Sequence, residues 1–149
     1  MGRVVDLARA VAAELNGHEF SMPFTAKYEP TPRLSMEKIT GLEVIVVPGS
    51  CARDRESRGN WMLYPVVRIG VMRHISRSNR EAEVDELNSL CDEITDFLTE
   101  RRPALAPWAS MSRVLDLPSY IFEHIMQYSV FDGVIGIEYK AGIARGRSY

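Results

Sequence analysis

The fold is decided by residues 42–75, LEVIVVPGSCARDRESRGNWMLYPVVRIGVMRHI. The stretch opens with a continuous β-branched run at 42–48, which is typical of a strand covered on both faces. It closes with a second strand-like run over 61–75. Together the two runs predict an antiparallel hairpin. Pro65 predicts a bulge or an edge position in the second strand, because proline cannot donate to the hydrogen-bond ladder.

Between the two runs, residues 49–60 (GSCARDRESRGN) are polar and charged, so we expect them to form a long loop. Loops of this length are uncommon unless they serve a function. Two carboxylates interleave with the arginines and cancel much of the local field, which suits a protein–protein contact better than DNA. The three arginines of the segment are Arg53, Arg55 and Arg58.

Helical periodicity predicts two amphipathic helices. The first covers 4–16 and has Gly17 where a helix C-cap would lie. The second begins at Ser78 and Glu81, which have the spacing of a capping box, and ends before Pro103. Its acidic residues lie mostly outside the apolar stripe, which is the pattern of a helix packed on a core by one face. That stripe consists of Leu87, Leu90, Cys91, Ile94, Phe97 and Leu98.

The rest of the chain predicts shorter elements. They are a strand over 24–28 ended by Pro30 and Pro32, a strand around 108–114, a helical turn over 119–127, a strand over 131–139 and a flexible tail at 142–149. This order predicts one α+β domain over 1–149. Its sheet would be an antiparallel or mixed β-meander, with the long helix packed on one face and an additional N-terminal helix.

Composition narrows the class of protein. The chain has 149 residues, 46% hydrophobic and 26% charged, which is ordinary globular usage. A net charge of −2 argues against a dedicated nucleic-acid binder. No apolar run approaches the roughly 18 residues that a membrane span needs, so no membrane partner is expected. Fifteen arginines against three lysines reflect either a GC-rich genome or arginine-mediated contacts at interfaces.

Residues able to carry catalysis or bind a metal are few. Neither phosphate-binding glycine motif is present, and the three histidines (His18, His74 and His124) are isolated from one another. Cys51 is the only arguable nucleophile, since nearby arginines could lower its pKa, whereas Cys91 fits a core position. Acidic residues on the outer face of a helix are ordinarily solvated. We therefore predict no catalytic residue, no metal site and no cofactor.

The order of the motifs resembles a known family. The motifs are FSMPFTAKY at 20–28, LEVIVVP at 42–48, YPVVRIGV at 64–71, the acidic helix VDELNSLCDEITDFL at 84–98, and the segment 123–139 with EHI and FDGVIGIEY. This series is similar to small phage and prophage structural proteins encoded among the head–tail joining genes, the tail-terminator or tail-completion proteins. The resemblance covers nearly the whole chain, and its motifs are structural rather than catalytic.

The resemblance implies a virion structural protein without enzymatic activity. Such a subunit assembles into a homo-oligomeric ring, typically a hexamer, which caps the tail tube and joins it to the neck or head connector. DNA would pass through the lumen without sequence-specific binding, and the protein would lie in the virion tail or neck, and in the host cytoplasm during assembly. One alternative is a head-completion or connector adaptor of the same neck region. Another is a small cytoplasmic enzyme or regulatory domain with a pocket around His74, Cys51 and Arg68.

Opposite charges in two segments of the chain suggest how such subunits could meet. We expect the three arginines of segment 49–60 to contact the acidic side of 81–100 on an adjacent subunit. Trp61 and Trp108 are candidate interface anchors, although a core role is favoured for each. The candidate inter-subunit residues are Arg53, Arg55, Arg58, Trp61, Asp85, Asp92 and Asp96.

Overall fold

A computed structural model describes residues 3–31, 41–57, 60–99, 101–120 and 129–144. The described residues form two helices and five strands, which confirms the α+β class. In chain order the elements are α1 (Arg3–Asn16), β1 (Ala26–Tyr28), β2 (Glu43–Ser57), β3 (Asn60–His74), α2 (Arg80–Leu98), β4 (Ser110–Tyr120) and β5 (Val130–Ala144).

The five strands form one mixed sheet in the order β1-β2-β3-β5-β4. Strand β1 runs parallel to β2, and the other neighbours are antiparallel. Strand β5 lies between β3 and β4, so the last strand of the chain is an interior one. This position fits its sequence, because side chains from Val130 to Ile137 are buried on both faces of the strand.

The main core lies between the two helices and one face of the sheet. Helix α1 packs over β1, β2 and β3, and α2 packs over β4 and β5. Alternate residues of the strands point into this core, as the two-residue period of a strand requires. Its largest fully buried side chains include Leu7, Leu15, Ile69, Leu87, Leu90, Ile94, Phe131, Ile137 and Tyr139. A smaller cluster of Ile45, Val47, Met72 and Val130 is also buried, at positions that alternate with the first set.

The hairpin is longer than the sequence suggested, and the predicted charged loop at 49–60 is wrong. Strand β2 continues to Ser57, β3 begins at Asn60, and these two residues pair with each other. The polar segment forms a strand because ladder hydrogen bonds join backbone groups whatever the side chains are. Apolar neighbours on β3 support it, since Arg53 is paired with Leu63 and Asp54 with Met62.

The predicted irregularity near Pro65 is present, but not at an edge. Strand β3 lies between β2 and β5, and the ladder to β5 skips Pro65, which has no N–H to donate. The bulge is on β2, which takes one more residue than β3 between Pro48 and Cys51. A Cβ on Gly49 would lie 2.9 Å from the carbonyl oxygen of Val66. Glycine is therefore the residue that lets the two backbones approach at the bulge.

The long helix is confirmed, whereas its predicted capping box is not. Helix α2 begins at Arg80, and Asn79 occupies the N-cap without a side-chain hydrogen bond. Ser78 and Glu81 are consequently out of register for a capping box. The first turn is instead held by Glu83, whose carboxylate accepts hydrogen bonds from the backbone N–H (2.6 Å) and hydroxyl (2.9 Å) of Ser76. These bonds hold the pKa of Glu83 below its ordinary value. The helix ends at Leu98, ahead of the predicted stop at Pro103.

Two expectations near the C-terminus are corrected. Residues 119 and 120 belong to β4, so the predicted helical turn does not begin there, and the remainder of 121–127 lies outside the described residues. Residues 142–144 belong to β5 and pair with 60–62, so they are not part of a flexible tail. Residues 145–149 lie outside the described part of the chain. No helix in that described part is long and apolar enough to cross a membrane.

Candidate inter-subunit surfaces

The far end of the hairpin forms an arm that carries little core. We define the hairpin arm as residues 49–57 of β2 and 60–65 of β3, with 141–144 of β5 paired alongside. Among the β2 side chains that the structure describes, none beyond Val47 belongs to the buried core. Residues 51–54 are all exposed. The β2 strand of the arm therefore offers the side chains of 51–54 to solvent or to a partner, whereas Leu63 and Ala141 beneath it are buried.

Of the three arginines predicted at the subunit interface, the structure describes the side chain of Arg53. Arg53 is exposed, and its Cζ lies 5.9 Å from the ring centroid of Trp61, within the range of a cation–π contact. Arg55 is paired in register with Trp61, and only its backbone is described. Arg58 lies outside the described residues. Trp61 is half-buried, so part of its ring remains available on the surface of the arm.

The bulge decides which face of the arm carries Arg53. Before the bulge, even-numbered residues of β2 such as Val46 point to the helices. One extra residue reverses this alternation, so that Arg53 pairs with Leu63 and lies on the helix side of the sheet, as Val67 and Ile69 do. Without the bulge, Asp54 would take that face. The bulge thus presents a cation beside the aromatic ring of Trp61.

The predicted acidic residues lie on α2. Asp85, Asp92 and Asp96 are exposed and separated by seven and four residues, a spacing that places them along one side of a helix. Other carboxylates of this helix are engaged within the chain. Arg73 lies 3.7 Å from Glu83 and 3.5 Å from Glu86.

The structure does not bring the arm and the acidic stripe together within one subunit. Helix α2 packs over β4 and β5, whereas the exposed strand of the arm is β2, two strands away from β5. No ion pair joins Arg53 to an α2 carboxylate within the described residues. A contact between these two surfaces would have to be made between copies of the chain.

The side chains considered for catalysis do not converge. Arg68 and His74 are six residues apart on β3, a separation of about 20 Å along a strand. Cys51 lies on the arm, where burial of its sulfur is the main cause that raises its pKa. Burial likewise raises the pKa of Cys91 to about 12. Neither thiol is therefore activated, and no cluster of metal-ligating side chains occurs among the residues that are described.

An aromatic cleft lies where the sequence analysis predicted no site. We define the aromatic cleft by its lining residues, which are His18, Glu19, Phe20, Met22, Pro23 and Phe24. The rings contact one another and α2: the centroid of His18 lies 4.6 Å from Phe20 and 4.2 Å from Phe97. Arg101 stacks on Phe97, with its Cζ 4.3 Å from the ring centroid. Repeated phenylalanines in the FSMPF segment were the only sequence signal of this surface.

Hydrogen bonds at both ends and in the middle hold the cleft loop in place. The Asn16 amide donates to the Ala26 carbonyl at 3.0 Å and accepts from the Ala26 N–H at 2.7 Å, which closes the loop. In the middle, the backbone N–H of Ser21 donates to the Glu93 carboxylate at 2.9 Å, and the Ser21 hydroxyl also donates to it. The loop therefore presents its rings in a fixed arrangement against α2.

The Glu14 carboxylate of α1 forms hydrogen bonds with the segment that follows α2. The Glu14 carboxylate accepts hydrogen bonds from Arg101 Nε and, at 3.1 Å, from the backbone N–H of Ala104. The hydrogen bond from Arg101 is the main cause that holds the pKa of Glu14 below its ordinary value. Tyr139 is fully buried nearby, and burial raises its pKa. Its hydroxyl finds no hydrogen-bond partner in the described part of the chain.

Neither a protein-family model nor a curated protein matches the chain. Among solved structures, the chain is similar to the sheath/tube terminator, in the extended state, of an extracellular contractile injection system (PVC) studied by cryo-EM. The TM-score is 0.43 and the sequence identity is 10%. The match covers 100% of this chain and 62% of that one, so this chain spans less than two thirds of that protein's length. A likeness of this size does not assign the chain to a family.

Proposed function

We propose that the protein is a structural subunit of a tailed-bacteriophage or prophage virion. In this role it is a tail terminator: it forms a ring that caps the tail tube and joins it to the neck or head connector. The observation that carries the proposal is the hairpin arm, an extension of β2, β3 and β5 with exposed side chains at 51–54. The motif order described in the sequence analysis supports the choice of family.

An arm of this kind is better explained by assembly than by the stability of one subunit. β5 covers one side of β3 along the arm, but the outer edge of β2 beyond Val46 has no strand partner among the described residues, and an exposed strand edge invites pairing with other chains. Keeping strands of 15 residues therefore has a cost for the isolated subunit. Contacts with a neighbouring subunit would offset that cost by covering the arm.

The seam between subunits is formed by opposite charges. Arg53, Arg55 and Arg58 of one subunit contact the stripe of Asp85, Asp92 and Asp96 on the next. Since these are two different surfaces, the contact is head-to-tail, and repeated rotation closes it into a ring of about six copies, the number that the family resemblance suggests. Each exposed ion pair contributes at most about 1 kcal/mol, so several must act together and added salt must weaken them.

The overall charge is compatible with this role. The net charge of −2 gives the subunit no strong attraction for DNA, which would pass through the lumen without sequence-specific binding. The subunit acts without a cofactor, assembles in the host cytoplasm and remains in the tail or neck of the virion.

The mass of the purified protein in solution, measured by light scattering at low and high salt, tests the ring. We expect a particle of about six times 16.9 kDa at low salt and a smaller one at high salt. Replacement of Arg53, Arg55 and Arg58 by Gln should lower the mass. A matched variant with Gln at Arg77, Arg102 and Arg113, which are exposed elsewhere, should not. An unchanged mass in the first variant would refute the charged seam.

Co-sedimentation with purified tail tubes tests the place of the ring. A tail terminator is expected to pellet with tubes, whereas an adaptor of the neck would bind the connector instead. A protein that stays monomeric at both salt concentrations and binds neither particle would refute the proposed function.

A further inference from the structure

The aromatic cleft has the chemistry of a site for a planar cation. Its loop presents the rings of His18, Phe20 and Phe24 at half-buried or exposed positions, and the exposed carboxylate of Glu19 lies among them. A guanidinium group stacks on aromatic faces through its planar π-system and pairs with carboxylates through its N–H fork. A lysine ammonium, a strongly hydrated point charge, fits such a surface less well.

The same chemistry recurs within this chain. Arg101 lies over Phe97 at 4.3 Å, beside the cleft itself. Arg9 lies over Tyr28 with its Cζ 4.9 Å from the ring centroid. Arginine on an aromatic ring is therefore a contact that this protein makes repeatedly, and the cleft offers further rings of the same kind.

We propose that the aromatic cleft of one subunit binds an arginine of the hairpin arm of a second copy of this chain. This inference rests on the proposed ring and names the surface that receives the arm. Arg53 is the exposed arginine that the structure describes on the arm. The cleft matches it in charge through Glu19, and the Ser21–Glu93 hydrogen bonds fix the cleft against the part of α2 that carries Asp92 and Asp96.

A subunit cannot place its own arm in its own cleft. The cleft loop ends at Ala26, which is paired in register with Val44 of β2. Arg53 lies nine residues farther along that strand, a distance of about 30 Å at the rise of a β-strand. The cleft and the arm are thus at opposite ends of the sheet. Their contact joins two copies head to tail, as a ring requires.

Photo-crosslinking from the arm tests the proposal. Cys51 is exposed on the arm and Cys91 is buried, so a benzophenone maleimide attaches to Cys51 of the otherwise unaltered protein. Chains of natural isotope content that carry the benzophenone (light) are mixed with ¹⁵N chains that lack it (heavy). The mixture is irradiated and analysed by peptide mass spectrometry. We expect adducts between a light arm peptide and a heavy peptide containing residues 18–24.

Matched variants distinguish a guanidinium site from general charge attraction. Glu19→Arg should lower the yield of these adducts at least fivefold, whereas Glu29→Arg, the same change at an exposed position outside the cleft, should leave it unchanged. Arg53→Lys keeps the charge and loses the planar fork, so it should lower the yield at least twofold.

The outcomes separate this inference from the proposed function. Adducts that map to other heavy peptides, or a yield that Glu19→Arg does not lower, overturn the cleft as receptor while the ring stands. Absence of any light–heavy adduct from an oligomeric protein overturns the cleft as receptor, and its absence from a protein that is monomeric and binds neither tail tubes nor the connector overturns both. Equal yields for Arg53 and Arg53→Lys overturn the assignment of a guanidinium site.

Discussion

Substitution of Gly49 by alanine tests the bulge that shapes the arm. The new Cβ would lie 2.9 Å from the Val66 carbonyl oxygen and 3.2 Å from Val66 Cγ1. The nearest atom belongs to the backbone of an interior strand, so it cannot move away without disturbing the ladders on both sides of β3. Overpacking of this kind typically costs about 1–3 kcal/mol. Alanine also lowers the conformational entropy of the unfolded chain, which stabilises the fold by about 0.4–1 kcal/mol, so the expected net loss is centred on about 1 kcal/mol.

The assay is urea denaturation followed by circular dichroism, at a protein concentration where the chain is monomeric, so that assembly does not contribute to stability. Gly142→Ala is the matched control, because a Cβ there meets no atom within 4 Å in the described part of the chain. We expect its free energy of unfolding to rise by about 0.4–1 kcal/mol, because the same entropy gain is not offset by a close contact. Equal midpoints for Gly49→Ala and Gly142→Ala would refute the close approach at the bulge and the change of face that depends on it.

Three further predictions concern groups inside the subunit. Glu14→Gln should lower the free energy of unfolding by about 1 kcal/mol near neutral pH, since it weakens the hydrogen bonds from Arg101 and the backbone of Ala104. Because folding lowers the pKa of Glu14, this difference should be fully present at pH values well above the ordinary pKa of a glutamate. It should vanish as the pH falls through the folded-state pKa. Tyr139→Phe should raise the unfolding free energy by up to about 1 kcal/mol, because it removes a buried hydroxyl that has no hydrogen-bond partner among the described residues. In the native protein a thiol reagent should modify Cys51, and it should reach Cys91 only after denaturation.

Each of these predictions has a control or a contradicting result. Glu81→Gln, an equivalent change at an exposed position, should leave stability unaltered over the same pH range, and an effect equal to that of Glu14→Gln would contradict the assigned hydrogen bonds. A clear loss of stability in Tyr139→Phe would mean that the hydroxyl has a partner. Modification of two thiols per chain under native conditions would show that Cys91 is not sealed in the core.

Periodicity was sufficient to predict the elements that carry the core. The helix over 4–16, the apolar stripe of α2 and the strand runs at 42–48 and 61–75 all appear close to their predicted places. In each case the buried apolar residues recur at the period of the helix or strand, so the local sequence is enough to identify the element.

The sequence did not predict the arm or the cleft, because both depend on contacts between residues that are distant in the chain. Polarity suggested a loop at 49–60, whereas pairing with β3 makes the segment a strand despite its charges. The cleft depends on the stacking of His18 on Phe97, 79 positions away in the chain. The capping box failed for a subtler reason: Ser78 has suitable spacing to Glu81, but the turn after Ile75 starts the helix too late for Ser78 to be its cap.

The charge order of the arm affects how two copies of the chain can pair through the outer edge of β2. Within the described residues, β1 covers only Val44–Val46 of the outer edge of β2, so the distal part of that edge is open to another strand. The sequence there reads RDRE over 53–56. When two identical strands pair antiparallel about a two-fold axis, odd positions meet odd positions and even meet even. In a pair centred on Asp54, arginine positions 53 and 55 would therefore face each other, and Asp54 would face its own copy. The alternation of charge along this edge therefore disfavours the pairing of two copies of the chain through it.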